Sequence, residues 1–221
     1  INFSLDLRSL TLASHSDKSL SLQGNAYHGL LVAINPQVPE DQRLLANIRE
    51  MITEASFYLF NATQRRVYFQ NIKILIPATW KANNYGKPQH ETYEKAEVIV
   101  AAPFWKHGDE PYTLQYGECG NMGKYIHFTP NFLVNDYLID VYGSRGRAFV
   151  HEWAHLRWGV FDEYDNERPF YITGQNQVKV TRYLIILLFL ISVLMDFRKM
   201  GLGIRKTNKQ TYLPVKLEHF I

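Results

Sequence analysis

The chain changes period several times along its length, and each change predicts an element. Gly29-Leu30-Leu31-Val32-Ala33-Ile34 is a short unbroken apolar run, the pattern of a buried strand. Pro39, Glu40 and Asp41 then open a helix with an acidic first turn. Leu44, Leu45, Ile48, Met51, Ile52, Ala55 and Leu59 follow at three-four spacing, which gives that helix one continuous apolar face. Over residues 66–76 the pattern becomes alternating: Val67 and Phe69, then Ile72, Ile74 and Ile76. The change of phase between Phe69 and Ile72 predicts a strand with an irregularity in it. Residues 80–92 are polar, with Asn83, Asn84, Gly86 and Pro88, and read as a loop. Residues 96–102 and 124–129 read as two further strands, the second a candidate sheet edge for an extended peptide. The stretch between them, 104–123, reads as a long loop available for substrate contact. Residues 145–157 form a last helix, approached through Gly143 and Gly146 and anchored by Phe149, Val150, Trp153 and Ala154.

The order strand, helix, strand, strand, strand, helix predicts an α+β fold: a mixed sheet carrying one scaffold helix and one helix that bears the chemistry. Residues 1–26 lack clear periodicity and read as a poorly ordered lead-in; residues 27–182 form the domain; residues 183–221 are a tail of different character. Tyr183 to Met195 carries no charge but stops well short of the roughly 20 residues a membrane-spanning helix needs. It reads as an interfacial, packed or exposed sticky segment, with the aggregation risk that a run of branched apolar residues brings. Residues 196–221 show little periodicity.

The chemistry concentrates in His151-Glu152-Trp153-Ala154-His155, an H-E-x-x-H pattern on the last helix. Residues four apart share a helix face, so both imidazoles reach one metal ion. Glu152 is turned about 100° from His151, which suits a base acting on water better than a ligand. Two neutral imidazoles, a carboxylate base and an open coordination position are what zinc-assisted peptide hydrolysis uses. Gly159 is placed to end the helix at positive φ and turn the chain back. Asp162 then supplies the third ligand, with Glu163 in reserve, and Asp165 and Glu167 are available to the ligand histidines' second N–H groups. His127 reads either as an oxyanion donor reaching the cleft or as a structural strand histidine, and Tyr164 is a further candidate to stabilise the intermediate.

The segment from Phe149 to Tyr164, FVHEWAHLRWGVFDEY, resembles the signature of the calcium-activated chloride channel regulator family. Asn35-Pro36-Gln37-Val38-Pro39-Glu40-Asp41, Ile74-Leu75-Ile76-Pro77-Ala78-Thr79-Trp80, Glu118-Cys119-Gly120 and Tyr125-Ile126-His127-Phe128-Thr129-Pro130 are similar as well. The resemblance covers about residues 27–182 and is to a short, truncated member of the family. It implies a secreted glycoprotein with a zincin-like N-terminal domain, in which His151, His155 and Asp162 hold Zn2+ and Glu152 is catalytic. It also implies a role in modulating a calcium-dependent chloride conductance. Longer members carry a cysteine-rich segment, a von Willebrand A-type domain and β-rich domains after this one; none of these, and no D-x-S-x-S motif, occurs in the 221 residues.

Composition narrows the alternatives. A net charge of +3 without a dense basic cluster gives nucleic-acid binding no support. The single Cys119 is expected to be either a thiol separated from a disulfide partner or a buried free thiol. Sequons at Asn2 and Asn61 agree with a secretory route, Asn61 just past the end of the first helix. Three functions are therefore expected to compete: a zinc endopeptidase acting on polypeptides, a non-catalytic secreted modulator of a channel or receptor partner, and a truncated remnant with little activity.

Overall fold

The structure, a computed structural model, describes residues 20–81, 85–162, 170–180 and 214–220. Glu163, Tyr164, Asp165, Glu167, Asn2 and the apolar run 183–195 lie outside them.

The first element among the described residues is β1 (Ser21–Gln23), which turns back antiparallel onto β2 (Ala26–Ile34). The end of the expected lead-in is thus a strand. Helix α1 (Gln42–Ala62) follows. Its entrance acids work differently from the expectation: none lies in the first turn, and Asp41 is the N-cap, its carboxylate accepting the Arg43 N–H at 2.9 Å. The predicted apolar face is buried from Leu44 to Leu59.

The predicted irregularity in β3 (Tyr68–Leu75) is present and has a matching one in β2. Tyr27 stands opposite Phe69, but His28 stands opposite Asn71 and Leu30 opposite Ile72. Gln70 is the extra residue on one strand and Gly29, at φ 77, the extra residue on the other. Both strands change phase together, so Tyr27, Leu30, Phe69 and Ile72 all join one core. Ser56 of α1 serves the main chain at this point. Its Oγ accepts from the Phe69 N–H at 3.0 Å and donates to the Phe69 carbonyl at 2.8 Å.

Among the described residues there follow a 3-10 turn (Tyr93–Lys95), β4 (Val98–Val100), β5 (Tyr112–Leu114), β6 (Tyr125–Phe128), α2 (Pro130–Val134), α3 (Tyr137–Tyr142), α4 (Arg145–Trp158), the hairpin β7 (Phe170–Ile172) and β8 (Val178–Val180), and β9 (Lys216–Phe220). The main sheet runs β5-β6-β4-β2-β3-β9. The pairs β2–β3, β2–β4, β4–β6 and β3–β9 are parallel and β5–β6 is antiparallel, so the sheet is mixed, as expected for the α+β class.

Three segments depart from the sequence reading. The loop expected at 104–123 contains β5, which displaces β6 from the edge of the sheet. β5 is three half-buried residues long, too short for alternation to declare itself. Residues 130–142 hold α2 and α3, the first started by Pro130 and capped by Thr129. In the stretch of little periodicity, β9 pairs with β3, a partner far back in the chain that no local pattern announces.

One face of the sheet packs on α1 and α4 and holds the main core. Trp153 anchors α4 there, edge-on to Tyr27 at 5.1 Å and to Phe69 at 4.9 Å between ring centroids. The opposite face carries a smaller cluster of Leu31, Ala33, Ala96 and Ile99. Among the described residues no helix is long and apolar enough to cross a membrane.

Candidate metal site

The site is assembled on α4, which is fixed at both ends. At its start Ser144 caps the Arg147 N–H, and Glu54 of α1 accepts the Gly146 N–H at 2.9 Å. At its end Gly159 adopts φ 64 and ψ 23, the left-handed turn expected from the sequence. A glycine-containing loop docks on that end. Gly123 N–H donates to the Leu156 carbonyl and Gly120 N–H to the Gly159 carbonyl, each at 2.9 Å. The loop has no room to spare, because a Cβ on Gly159 would overlap the main chain of Asn121. Cys119 sits in this loop as an exposed thiol, which corrects the buried alternative.

Between these two anchors His151 and His155 project from one face, their Nε2 atoms 3.0 Å apart. The turn at Gly159 returns Asp162 to the same point: its Oδ1 is 3.1 Å from His151 Nε2 and 3.4 Å from His155 Nε2. Four ligand atoms about 2.05 Å from a tetrahedral zinc stand about 3.3 Å from one another. The observed spacings match that figure, and the donor set of two imidazole nitrogens and one carboxylate oxygen is one that zinc accepts. The second ring nitrogen of His155 completes the fit. Nδ1 lies 2.5 Å from the Val160 carbonyl, which can only accept, so Nδ1 carries a hydrogen and Nε2 is the ring atom left facing the cluster. Among the described residues, His151, His155 and Asp162 form the one group of three such ligands.

Glu152 lies beside this group rather than in it. Its carboxylate is buried, with Oε1 3.9 Å from His151 Nε2. Burial is the main influence on its pKa and raises it, against smaller opposing effects of His151, His155 and the Thr113 hydroxyl. Burial also acts on Asp162, but hydrogen bonds from both histidines outweigh it and hold that carboxylate well below its ordinary range. For His155, burial favours the neutral ring, yet Asp162, Glu152 and the Val160 carbonyl together raise the pKa.

His127 does not reach the site. It pairs with Tyr112 and Ile99, and its ring stacks on Tyr112 at 4.8 Å, on the sheet face away from α4. Burial is the main influence on its pKa and lowers it. Sequence reasoning missed Thr113, whose hydroxyl lies 2.8 Å from Glu152 Oε2. A loop reading of 104–123 assigns no direction to its side chain. The Asn61 sequon is exposed but lies within the last turn of α1, and Thr63 two residues on is buried, its hydroxyl bonded to the Leu59 carbonyl.

Two imidazoles and a carboxylate that could hold a metal ion thus stand beside a buried glutamate on a mixed sheet. The comparisons identify the family. The sequence profile described as "Calcium-activated chloride channel N terminal" matches residues 20–188, so the chain belongs to the calcium-activated chloride channel regulator family. It is 74% identical over 163 residues to calcium-activated chloride channel regulator 2 of Homo sapiens, covering 74% of this chain and 17% of that protein. It is 65% identical to the Mus musculus regulator 2 over 163 residues, again 74% of this chain and 17% of the relative. With regulator 1 of Bos taurus it shares 63% over 164 residues, 74% of this chain and 18% of the relative. The chain therefore spans less than a fifth of the length of these curated relatives. No solved structure matches it.

Proposed function

We propose that this chain carries the zincin-like peptidase unit of a secreted calcium-activated chloride channel regulator. The observation that carries the proposal is the convergence of His151 Nε2, His155 Nε2 and Asp162 Oδ1 at tetrahedral spacing beside the buried Glu152 carboxylate. His151, His155 and Asp162 would hold Zn2+. When bound, the ion supplies a Lewis acid that polarises a carbonyl and makes water acidic enough to deprotonate near neutral pH.

Glu152 acts as the general base. Its carboxylate takes the proton of the attacking water and returns it to the nitrogen of the leaving peptide. A pKa raised by burial suits both halves of that task. The Val160 carbonyl holds His155 in the ligating tautomer, and burial of Glu152 keeps bulk water from competing. The polypeptide substrate lies along β5, the outermost strand beside α4, whose outer edge continues the sheet in an extended orientation. The antiparallel edge strand next to the motif helix also supports the zincin assignment of the fold.

The experiment is metal analysis and casein cleavage by the purified chain, with Glu152→Gln and His155→Ala alongside. Glu152→Gln is expected to keep one zinc and lose cleavage, and His155→Ala to lose both. Equal cleavage by the wild type and Glu152→Gln would refute the assignment.

The relatives are named as regulators of a calcium-activated chloride channel, which favours a second reading, in which the chain acts on such a channel by binding. Modulation of a calcium-dependent chloride current that persists in Glu152→Gln would select it over the peptidase.

A further inference from the structure

We infer that Thr113 is the positioning residue for Glu152, holding one carboxylate oxygen so that the other stays turned toward the ligand cluster. Its catalytic consequence rests on the peptidase reading; the contact itself does not.

Thr113 is the central residue of β5, opposite Ile126, which is fully buried in the core beneath α4. Strand alternation therefore sends the Thr113 side chain toward α4 and the Tyr112 ring to the other face, where it stacks on His127. The hydroxyl reaches Glu152 twice, 2.8 Å from Oε2 and 2.9 Å from that residue's own carbonyl oxygen. Oε1, the oxygen not held by Thr113, is the one 3.9 Å from His151 Nε2.

The neighbourhood is shaped to permit this contact. A Cβ on Gly123 would come within 2.7 Å of the Thr113 methyl and 3.1 Å of Leu156 Cα, so the absence of a side chain at 123 lets β5 and α4 approach. A glutamate has three side-chain torsions, and a buried carboxylate without a fixed partner would sample several of them at the expense of the productive one. A single hydroxyl from the edge strand removes that freedom. It also ties the base to the strand along which the substrate is proposed to lie, so register and base are set by one element.

The test uses the full chain carrying Thr113→Val, which replaces the hydroxyl with a methyl at nearly constant shape, and Thr113→Ser, which keeps the hydroxyl. Each is made in the wild type and in a Glu152→Ala background. Thermal unfolding is the first readout. Thr113→Val is expected to lower Tm by about 3 °C or more in the wild type, since it strands a buried carboxylate, and by less than half as much when Glu152 is already alanine. Thr113→Ser is expected to stay close to the wild type. Equal shifts in both backgrounds would overturn the inference.

The second readout is cleavage of fluorescein-labelled casein over a range of casein concentrations, with zinc content measured in parallel. Thr113→Val is expected to reduce kcat about tenfold with KM and zinc content unchanged, and Thr113→Ser to restore most of it. A higher KM at unchanged kcat would assign Thr113 to substrate binding and overturn the positioning role. A wild type that cleaves no casein but binds zinc would count against the peptidase reading, while the unfolding comparison would still decide the Thr113–Glu152 coupling.

Discussion

The main chain of Asn121 occupies the space where any side chain at Gly159 would stand. Gly159 also sits at φ 64, a conformation that costs other L-residues about 1–2 kcal/mol. Gly159→Ala is therefore expected to cost about 2 kcal/mol or more, and to weaken zinc binding because Asp162 is aimed by this turn. Urea unfolding and a zinc titration of the same preparation measure the two effects.

Zinc should stabilise the fold by linkage. At a free concentration of about one hundred times Kd the gain is about 2.7 kcal/mol, or roughly 5 °C in Tm for a chain of this size. Asp162→Ala should lose most of that shift, and a chelator should reverse it in the wild type. A Tm indifferent to both zinc and chelator would count against the ligand set.

Glu54 reaches from α1 to the first turn of α4, its carboxylate on the Gly146 N–H. An anion there satisfies an otherwise free donor and complements the positive end of the helix. Glu54→Ala is expected to cost about 1 kcal/mol, and Glu54→Gln less, because the amide oxygen still accepts. Denaturation midpoints at low and high salt separate the charge effect from the hydrogen bond.

Acid stability should depend on Glu91. Burial alone would raise its pKa. The Lys73 ammonium and the N–H groups of Gln89 and His90 more than reverse this, bringing it from 4.5 to about 2. With the folded value depressed, the stabilisation is complete above pH 4.5 and is lost as pH falls toward 2. Unfolding midpoints of the wild type and Glu91→Gln are expected to differ at pH 6 and converge toward pH 2.

The residues that converge on the site were legible because their spacing is local. His151 and His155 are one helical turn apart, and Gly159 announces the turn that brings Asp162 back. The long apolar face of α1 and the phase slip near Gln70 were legible for the same reason: each is written within a dozen residues. What stayed hidden depends on partners distant in the chain. β5 is defined by its pairing with β6, β9 by its pairing with β3, and Thr113 acquires its role only when the edge strand meets α4. Alternation cannot show in three residues, and a hydroxyl in a presumed loop has no direction.

The anchoring of α4 by Trp153 has a kinetic consequence. Trp153 rests on Tyr27 and Phe69, which belong to two different parallel strands, so its seat exists only after those strands have paired in register. Parallel pairing across a long intervening helix is a slow, non-local step. His151 and His155 flank Trp153 on the same helix and share its timetable. The capacity to capture zinc should therefore appear late in refolding, after helical signal has recovered, and the moment of metal uptake would time the completion of the sheet.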